Sequence, residues 1–399
     1  MILGVRALEH ELRWLWLVSK FNGSNAKINA LVEFFGGIEE IYASKRFHNI
    51  GLGEREKALL MDKDLSEAEK ICEKLSRIGG KILVLDSENY PKILKQSHNP
   101  PPVLYLKGKV PDLDDVLTLG VVGTRKPSKY GSLVTKRMCQ SLARQGVVTV
   151  SGMAAGIDAI GAWATIEEGG IAVGVIASGI DIAYPSENAE LYLAVAEKGC
   201  ILTEFPPGTP PKAKNFPIRN RIIAGLSRGV LVTDAPAKSG ALITAKLAME
   251  EGRDVFAVPR NISDIKYSGT NILIQQGAKL VMHPNDILSE YPYAKRIEPT
   301  EKIERKEQPA EQSAPEEKAT PKKTKKKADI SGLLDILTEN EKQIANLLIN
   351  KDMQIDEMAR VLSVPVGTLN TRLIMLEMKG VVVKLPGSSY RLKIDQEEG

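Results

Sequence analysis

Between Ile82 and about Glu290 the chain repeats one pattern, a short β-rich run, a turn of glycine and other small residues, and a helical stretch of roughly 10–15 residues. The runs are Leu117–Gly123, Val147–Gly152, Ala172–Ser178, Cys200–Phe205, Gly229–Ala235, Asp254–Pro259 and Lys279–Met282. Strands that alternate with helices pair in parallel, with right-handed crossovers carrying the chain back to the same sheet. The expected class is therefore α/β, with a Rossmann-like, doubly wound, mainly parallel sheet over residues 81–295. Such a sheet binds its ligand beyond the carboxyl ends of its strands.

At 399 residues the chain exceeds one ordinary core, and further modules are expected on both sides of the sheet. Residues 1–80 carry apolar residues at helical spacing, as in Leu12, Leu15, Trp16 and then Leu65, Ala68, Ile71, Leu75. They read as a helical, SAM-like domain. Within it Ile50-Gly51-Leu52-Gly53 suggests a helix-hairpin-helix turn, which either offers backbone amides to a phosphate or merely joins two packed helices. Residues 296–330 are rich in Glu, Lys, Pro, Gln and Ala, a composition that cannot offset the entropy of ordering, so a flexible linker is expected. It ends in Lys322, Lys323, Lys325, Lys326 and Lys327. Residues 331–395 read as a winged helix, with helices Glu339–Ile349, Ile355–Leu362 and Val366–Lys379 and a wing around Pro386-Gly387. Its third helix, with Asn370, Thr371 and Arg372, either enters a major groove or docks a protein, since Leu369, Leu373 and Leu376 make it strongly apolar.

Cys72, Cys139 and Cys200 lie far apart, which suggests neither a disulfide framework nor a zinc site. Arg6, Glu9, His10, Glu11 and Arg13 interrupt the first residues, leaving no signal-peptide core, and no apolar run approaches the ~20 residues that span a bilayer. A cytoplasmic protein without membrane contact is expected. A net charge of +4 only slightly favours anionic partners, so the placement of charge matters more.

The loops after the strands place that charge. Gly123-Thr124-Arg125 follows the first run and precedes a helix, combining close backbone approach with a forked donor. The full GxGxxG fingerprint is missing, which argues against a dinucleotide, and no cofactor is expected. Ser151-Gly152-Met153-Ala154-Ala155-Gly156-Ile157-Asp158 forms a second small-residue turn, read as an anion nest beside the first. The stretch from Phe205 to Arg221 sets Lys212, Lys214 and Asn215 beside Phe216, followed by Arg219, Asn220 and Arg221. Cations flanking an aromatic ring suit phosphates on one side and a stacked base on the other. Two arginines near a helix start require an anion or an acidic partner, and pairing of one of them with Asp234 or Glu204 is expected. Lys238-Ser239-Gly240 and Gly269-Thr270-Asn271 each precede a helix and repeat the anion-ready design. Several such loops along one edge suit a polyanion better than a single nucleotide.

Taken in order, these residues resemble the DNA-processing protein A (DprA/Smf) family. The likeness runs through Gly123-Thr124-Arg125, the Ser-Gly to Gly-Ile-Asp turn, Tyr184-Pro185-Ser186-Glu187-Asn188, the stretch Phe216 to Gly225, Ser239 to Ala245 and Gly269-Thr270-Asn271. It implies sequence-independent binding of single-stranded DNA, protection of incoming DNA, loading of RecA recombinase during natural transformation and a homodimer. By motif position, the family's phosphate-binding arginine falls on Arg125 and its RNR element on Arg219, Asn220 and Arg221. The chain departs from the pattern at Ala155, where many relatives carry Arg, at Ala241 in place of Ser, and at Arg260, where Gly commonly follows Val-Pro. The first removes a cation from the pocket and the last adds one nearby.

Two other functions compete with this reading. One is a nucleotide-processing hydrolase of the related lysine-decarboxylase-like group, with Asp158, Glu204 or Asp234 as the base. No paired acidic signature accompanies them, and a helix cap or a buried ion pair accounts for each, so no catalytic residue is assigned. The other is an adaptor that senses a nucleotide.

Overall fold

The computed structural model describes residues 2–21, 24–47, 51–300, 302, 339–348, 352–362, 364–378, 381–385 and 389–392. They fall into two compact units, residues 1–308 and 309–399.

The first unit is built on a sheet of nine strands: β1 (Lys81–Val84), β2 (Val103–Gly108), β3 (Thr118–Val122), β4 (Val148–Ser151), β5 (Ala172–Val175), β6 (Cys200–Thr203), β7 (Gly229–Val232), β8 (Asp254–Ala257) and β9 (Lys279–Leu280). Their order is β1-β2-β6-β5-β4-β3-β7-β8-β9. Strands β3 to β9 pair in parallel, as the alternating pattern requires. The antiparallel strands β1 and β2 extend the sheet past β6, an addition not read from the sequence.

Alternation of side chains along each strand splits the core in two. Leu119, Val121 and Leu231 point to one face, where they pack with Met138, Cys139 and Leu142 of helix Lys129–Arg144. Val122, Val230 and Val232 point to the other, against Ile222, Ile223 and Leu226 of helix Asn215–Leu226 and Ala241, Ala245 and Ala248 of helix Gly240–Glu250. Burial on both faces explains why the parallel strands read as continuous apolar runs rather than alternating ones.

The N-terminal helices Ile2–Lys20, Asn25–Phe35, Ile38–Ala43, Glu54–Met61 and Ser66–Arg77 share a core with the sheet. Trp14 and Trp16 are buried there with Ile28, Ile41, Val103, Tyr105 and Ile201. Of the turn suggested as a hairpin, Ile50 lies outside the described residues, and the Gly53 amide already donates to Glu56 Oε2 at 3.1 Å. That amide is a helix cap and not a phosphate donor.

Residues 296–300, expected as the start of the linker, are held against the sheet. Lys295 N donates to Asp115 O at 2.8 Å, Ile297 N to Gly146 O at 2.9 Å and Thr300 N to Gly169 O at 2.8 Å, so the segment straps the amino ends of β3, β4 and β5. Ile297 packs on the sheet core. Lys302 then pairs with Glu168 at 2.7 Å, and Glu168 also receives Arg144 Nε and Nη2, both at 2.9 Å. The lysine cluster Lys322 to Lys327 lies outside the described residues.

The second unit has the winged-helix arrangement: Glu339–Leu348, β10 (Met353–Gln354), Ile355–Leu362, Val366–Met378, β11 (Val382–Leu385) and β12 (Ser389–Leu392). The sheet order β10-β12-β11 adds one short strand to the expected wing. Leu369, Leu373 and Leu376 are buried against Ile344, Met358 and Tyr390, which accounts for the apolar third helix, while Asn370 faces solvent. Lys379, Pro386 and Gly387 lie outside the described residues.

The strap yields a pH prediction. Hydrogen bonds from Arg144, seconded by Lys302, hold the Glu168 carboxyl down to about 2. Its folded pKa lies below the unfolded one, so its contribution is complete above the ordinary glutamate range and is lost as pH falls toward 2. Glu168→Gln should lower the melting temperature at neutral pH and flatten its decline in acid. Parallel melting curves across the acid range would show that the strap adds nothing.

Candidate nucleic-acid interface

The rim at the carboxyl ends of the strands is organised around one internal carboxylate. After β4 the chain turns through Met153, at φ 57°, and Gly156, at φ 81°, into helix Ile157–Glu167. Left-handed backbone at a non-glycine residue such as Met153 is uncommon and persists only where its surroundings enforce it. The turn aims its amides inward. Asp158, 6% exposed, accepts from Gly152 N at 3.0 Å and from the backbone N–H groups of Ala154 and Gly123. Arg219, 4% exposed, reaches in from helix Asn215–Leu226 and donates Nη1 to the carbonyls of Gly152 and Val175. Burial raises the Asp158 carboxyl and lowers the Arg219 guanidinium, and each opposes the other's shift by attraction.

This corrects the reading of the 151–158 turn as an anion nest. Its Gly152 amide, and that of Gly123 in the neighbouring loop, serve the chain's own carboxylate. Ser151 is buried, and its hydroxyl accepts from Met153 N at 3.4 Å.

Beside this hub a cavity of about 290 Å³ opens between the loops after β3 and β7. Strand order reverses at that point, since β3 continues through β4 on one side and through β7 on the other. Thr124, Arg125, Phe216, Asn220, Lys238 and Ser239 line the cavity, with Gly123 and Gly240 at its edges. Ser239 Oγ accepts from Ala241 N at 3.3 Å and starts helix Gly240–Glu250. Arg125 stacks on Phe216, its guanidinium carbon 4.9 Å from the ring centroid, and Tyr184 meets the same ring edge-on at 5.9 Å. Lys212 and Lys214 are exposed on the loop leading into Phe216.

Electrostatics separates these cations from three other arginines of the domain. Arg221 pairs with Glu204, Arg260 with Asp264 and Arg144 with Glu168. Arg125, Lys212, Lys214 and Lys238 have no carboxylate within ion-pair distance among the described residues. Arg125 also lies close enough to depress the Arg219 guanidinium, a repulsion that a bound anion relieves.

Other predicted site residues face elsewhere. Arg221 donates Nη1 to Asn99 O and Nη2 to Glu204, the internal pairing expected for one arginine of the two. Asn215 Nδ2 donates to Ala177 O at 3.1 Å, anchoring its helix. Gly269, Thr270 and Asn271 are not an anion loop. Gly269 N donates to Ala235 O, Thr270 is buried, and Asn271 brackets Arg260 through its N–H at 2.9 Å and its carbonyl at 3.0 Å. Arg260 itself adds no cation to the pocket. It is sandwiched by Tyr130 and Tyr267 and donates to Ser128 Oγ at 3.0 Å.

The acids considered as catalytic bases are engaged in structure. Asp234 Oδ2 accepts from Ser128 N at 2.9 Å and Ser128 Oγ at 2.8 Å, so closely that a side chain at Gly131 would collide with it. Glu204 takes Arg221 and Asn25, and Asp158 holds the rim. Breaking a buried charge pair leaves the surviving charge uncompensated, so Asp158→Ala should destabilise the first unit by about 3–5 kcal/mol in denaturant unfolding. A loss within experimental scatter would remove Asp158 from its central place.

The family model described as DNA recombination-mediator protein A matches residues 81–292, and that of the DprA winged helix domain matches residues 326–388. Protein Smf of Synechocystis sp. is 35% identical over 317 residues, spanning 77% of this chain and 79% of that protein. DNA processing protein DprA of Bacillus subtilis is 42% identical over 234 residues, spanning 57% and 79%. The X-ray structure of DNA processing protein A from Streptococcus pneumoniae aligns with a TM-score of 0.62 at 34% identity, covering 70% of this chain and 97% of that one. A middle domain and a winged helix that both match, on the fold and motifs described above, establish that the chain belongs to the DNA recombination-mediator protein A (DprA/Smf) family.

Proposed function

We propose that this protein binds single-stranded DNA without sequence preference, along the rim where Arg125, Lys238, Lys212 and Lys214 surround Phe216. The observation that carries this reading is a set of exposed cations without carboxylate partners among the described residues, Arg125 stacked on Phe216 with Lys238, Lys212 and Lys214 on neighbouring loops, while Arg144, Arg221 and Arg260 are each paired with a carboxylate. Cations of this kind release counterions when phosphates replace solvent, and a ring among them accepts whichever base is unstacked. A grip on the sugar-phosphate chain is indifferent to sequence. Several separate cations, Arg125 and Lys238 in the loops after β3 and β7 and Lys212 and Lys214 before Phe216, suit a strand better than a mononucleotide, which distinguishes this reading from a nucleotide sensor. The DNA-processing names of the relatives support DNA as the polyanion.

Once bound, the strand is protected and handed to the recombinase RecA during transformation, by a homodimer acting in the cytoplasm and without chemistry of its own. Family membership supports this role, and engagement of Asp158, Glu204 and Asp234 in structure weighs against a hydrolase.

Arg125→Ala and Lys214→Ala should each weaken binding of oligothymidine and reduce the slope of log affinity against log salt by about 0.7, the share of one single-strand phosphate contact. Unchanged affinity and slope in both would place the strand elsewhere. Phe216→Ala should cost about 1–3 kcal/mol of binding if a base stacks there. Unchanged binding by a folded variant would reduce Phe216 to a packing residue.

A further inference from the structure

The phosphate grip leaves Tyr184-Pro185-Ser186-Glu187-Asn188 without a function. A second cavity, about 200 Å³, lies across Arg125 and Phe216 from the first, and Tyr184, Pro185 and Glu187 form its outer wall. Its character is different. Ala154, Ala155 and Ala177 line it with small side chains, and the rings of Tyr184 and Phe216 supply flat apolar surfaces at 64° to each other. Asn188 Nδ2 donates to Met153 O at 3.0 Å, tying the Tyr184–Asn188 segment to the turn that Asp158 organises.

Arg125 is the donor on the side shared with the first cavity, and the remaining charged and hydroxyl lining beside Tyr184 and Pro185 offers acceptors. Glu187 is exposed and has no hydrogen-bond or ion-pair partner among the described residues. Ser178 spends its hydroxyl proton on Ile182 O at 3.0 Å. A carboxylate beside a strand's phosphates repels them, so a strand seated here is favoured when it turns a hydrogen-bond donor toward Glu187. An exocyclic amino group, as on cytosine N4, is such a donor, and carboxylates accept it. Thymine has a carbonyl oxygen at the same ring position, and its one donor, N3–H, is flanked by two carbonyl oxygens that set acceptor against acceptor.

We propose that this second lobe holds an unstacked base in the corner that the Tyr184 and Phe216 rings make, and that Glu187 biases it toward amino-bearing bases and against thymine. The inference rests on the single-strand reading above. A contact at one nucleotide of a longer footprint leaves binding broadly tolerant of sequence, with a preference of about three- to tenfold.

The test is binding of the full chain to oligodeoxycytidine, oligodeoxyuridine and oligothymidine of equal length at neutral pH, deoxyuridine separating the amino group from the thymine methyl. The wild type should hold oligodeoxycytidine several-fold tighter than the other two, which bind alike. Glu187→Gln, whose amide both donates and accepts, should close that gap while circular dichroism confirms an unchanged fold. Equal affinities in the wild type would overturn the inference, and so would a gap that survives in Glu187→Gln. A rise in affinity for all oligonucleotides alike, with a steeper salt slope, would also overturn it by reducing Glu187 to a repulsive charge. In each of those cases a loss of binding in Arg125→Ala leaves the phosphate grip standing. No loss in Arg125→Ala would instead remove the grip and the base lobe together.

Discussion

The buried carboxylate of Asp158 is the constraint on which the rim is built. It gathers amides from the loops after β3 and β4, and Arg219 lies close enough to offset part of its desolvation while fastening the carbonyls of Gly152 and Val175. Two charges removed from water contribute little net stability, but losing either leaves the other unpaired in a low dielectric. The loops are thereby tied to one another before any ligand arrives. An anion at this surface meets a fixed wall, with its variable contacts supplied by side chains around the hub. Ordering costs at binding are correspondingly confined to exposed groups such as Arg125 and the lysines of the 212–214 loop.

Arginines with the same chemistry divide by burial into different tasks. Arg219 is internal wiring, Arg221 joins the sheet rim to the 97–102 region through Asn99, and Arg260 is clamped between aromatic rings against Ser128. Arg125 keeps its guanidinium exposed over Phe216. Of the RNR element, Asn220 alone lines the phosphate cavity without a hydrogen-bonded side-chain partner among the described residues. The element shapes the site from beneath, and the strand is gripped from its edges.

Much of this architecture was legible because its physics is local. Strands β3 to β9 appear within the apolar β-rich runs, and Ser128 and Ser239 mark helix starts by their caps. The strands β1 and β2 were missed because β2 is placed by pairing with β6, a contact of long sequence separation, and β1 by pairing with β2. Site residues divide the same way. The cavity loops at 123–125 and 238–240 could be read from glycine, cation and helix start, yet a glycine at a helix start also occurs at Gly269-Thr270-Asn271, where the Gly269 amide and the Asn271 side chain are used internally. Sequence reveals that an amide can bind an anion and does not reveal whether the chain supplies that anion itself. Here the signal was present in the acid of the Gly-Ile-Asp turn, two residues past a left-handed glycine.

The most direct test of the central claim is an amide hydrogen-exchange footprint of oligothymidine on the full chain. Slowed exchange should concentrate at residues 124–126, 211–216 and 236–240, with no added protection at Gly152, whose amide Asp158 already holds. A footprint confined to β9 or the N-terminal helices, with those rim segments exchanging as before, would contradict the account.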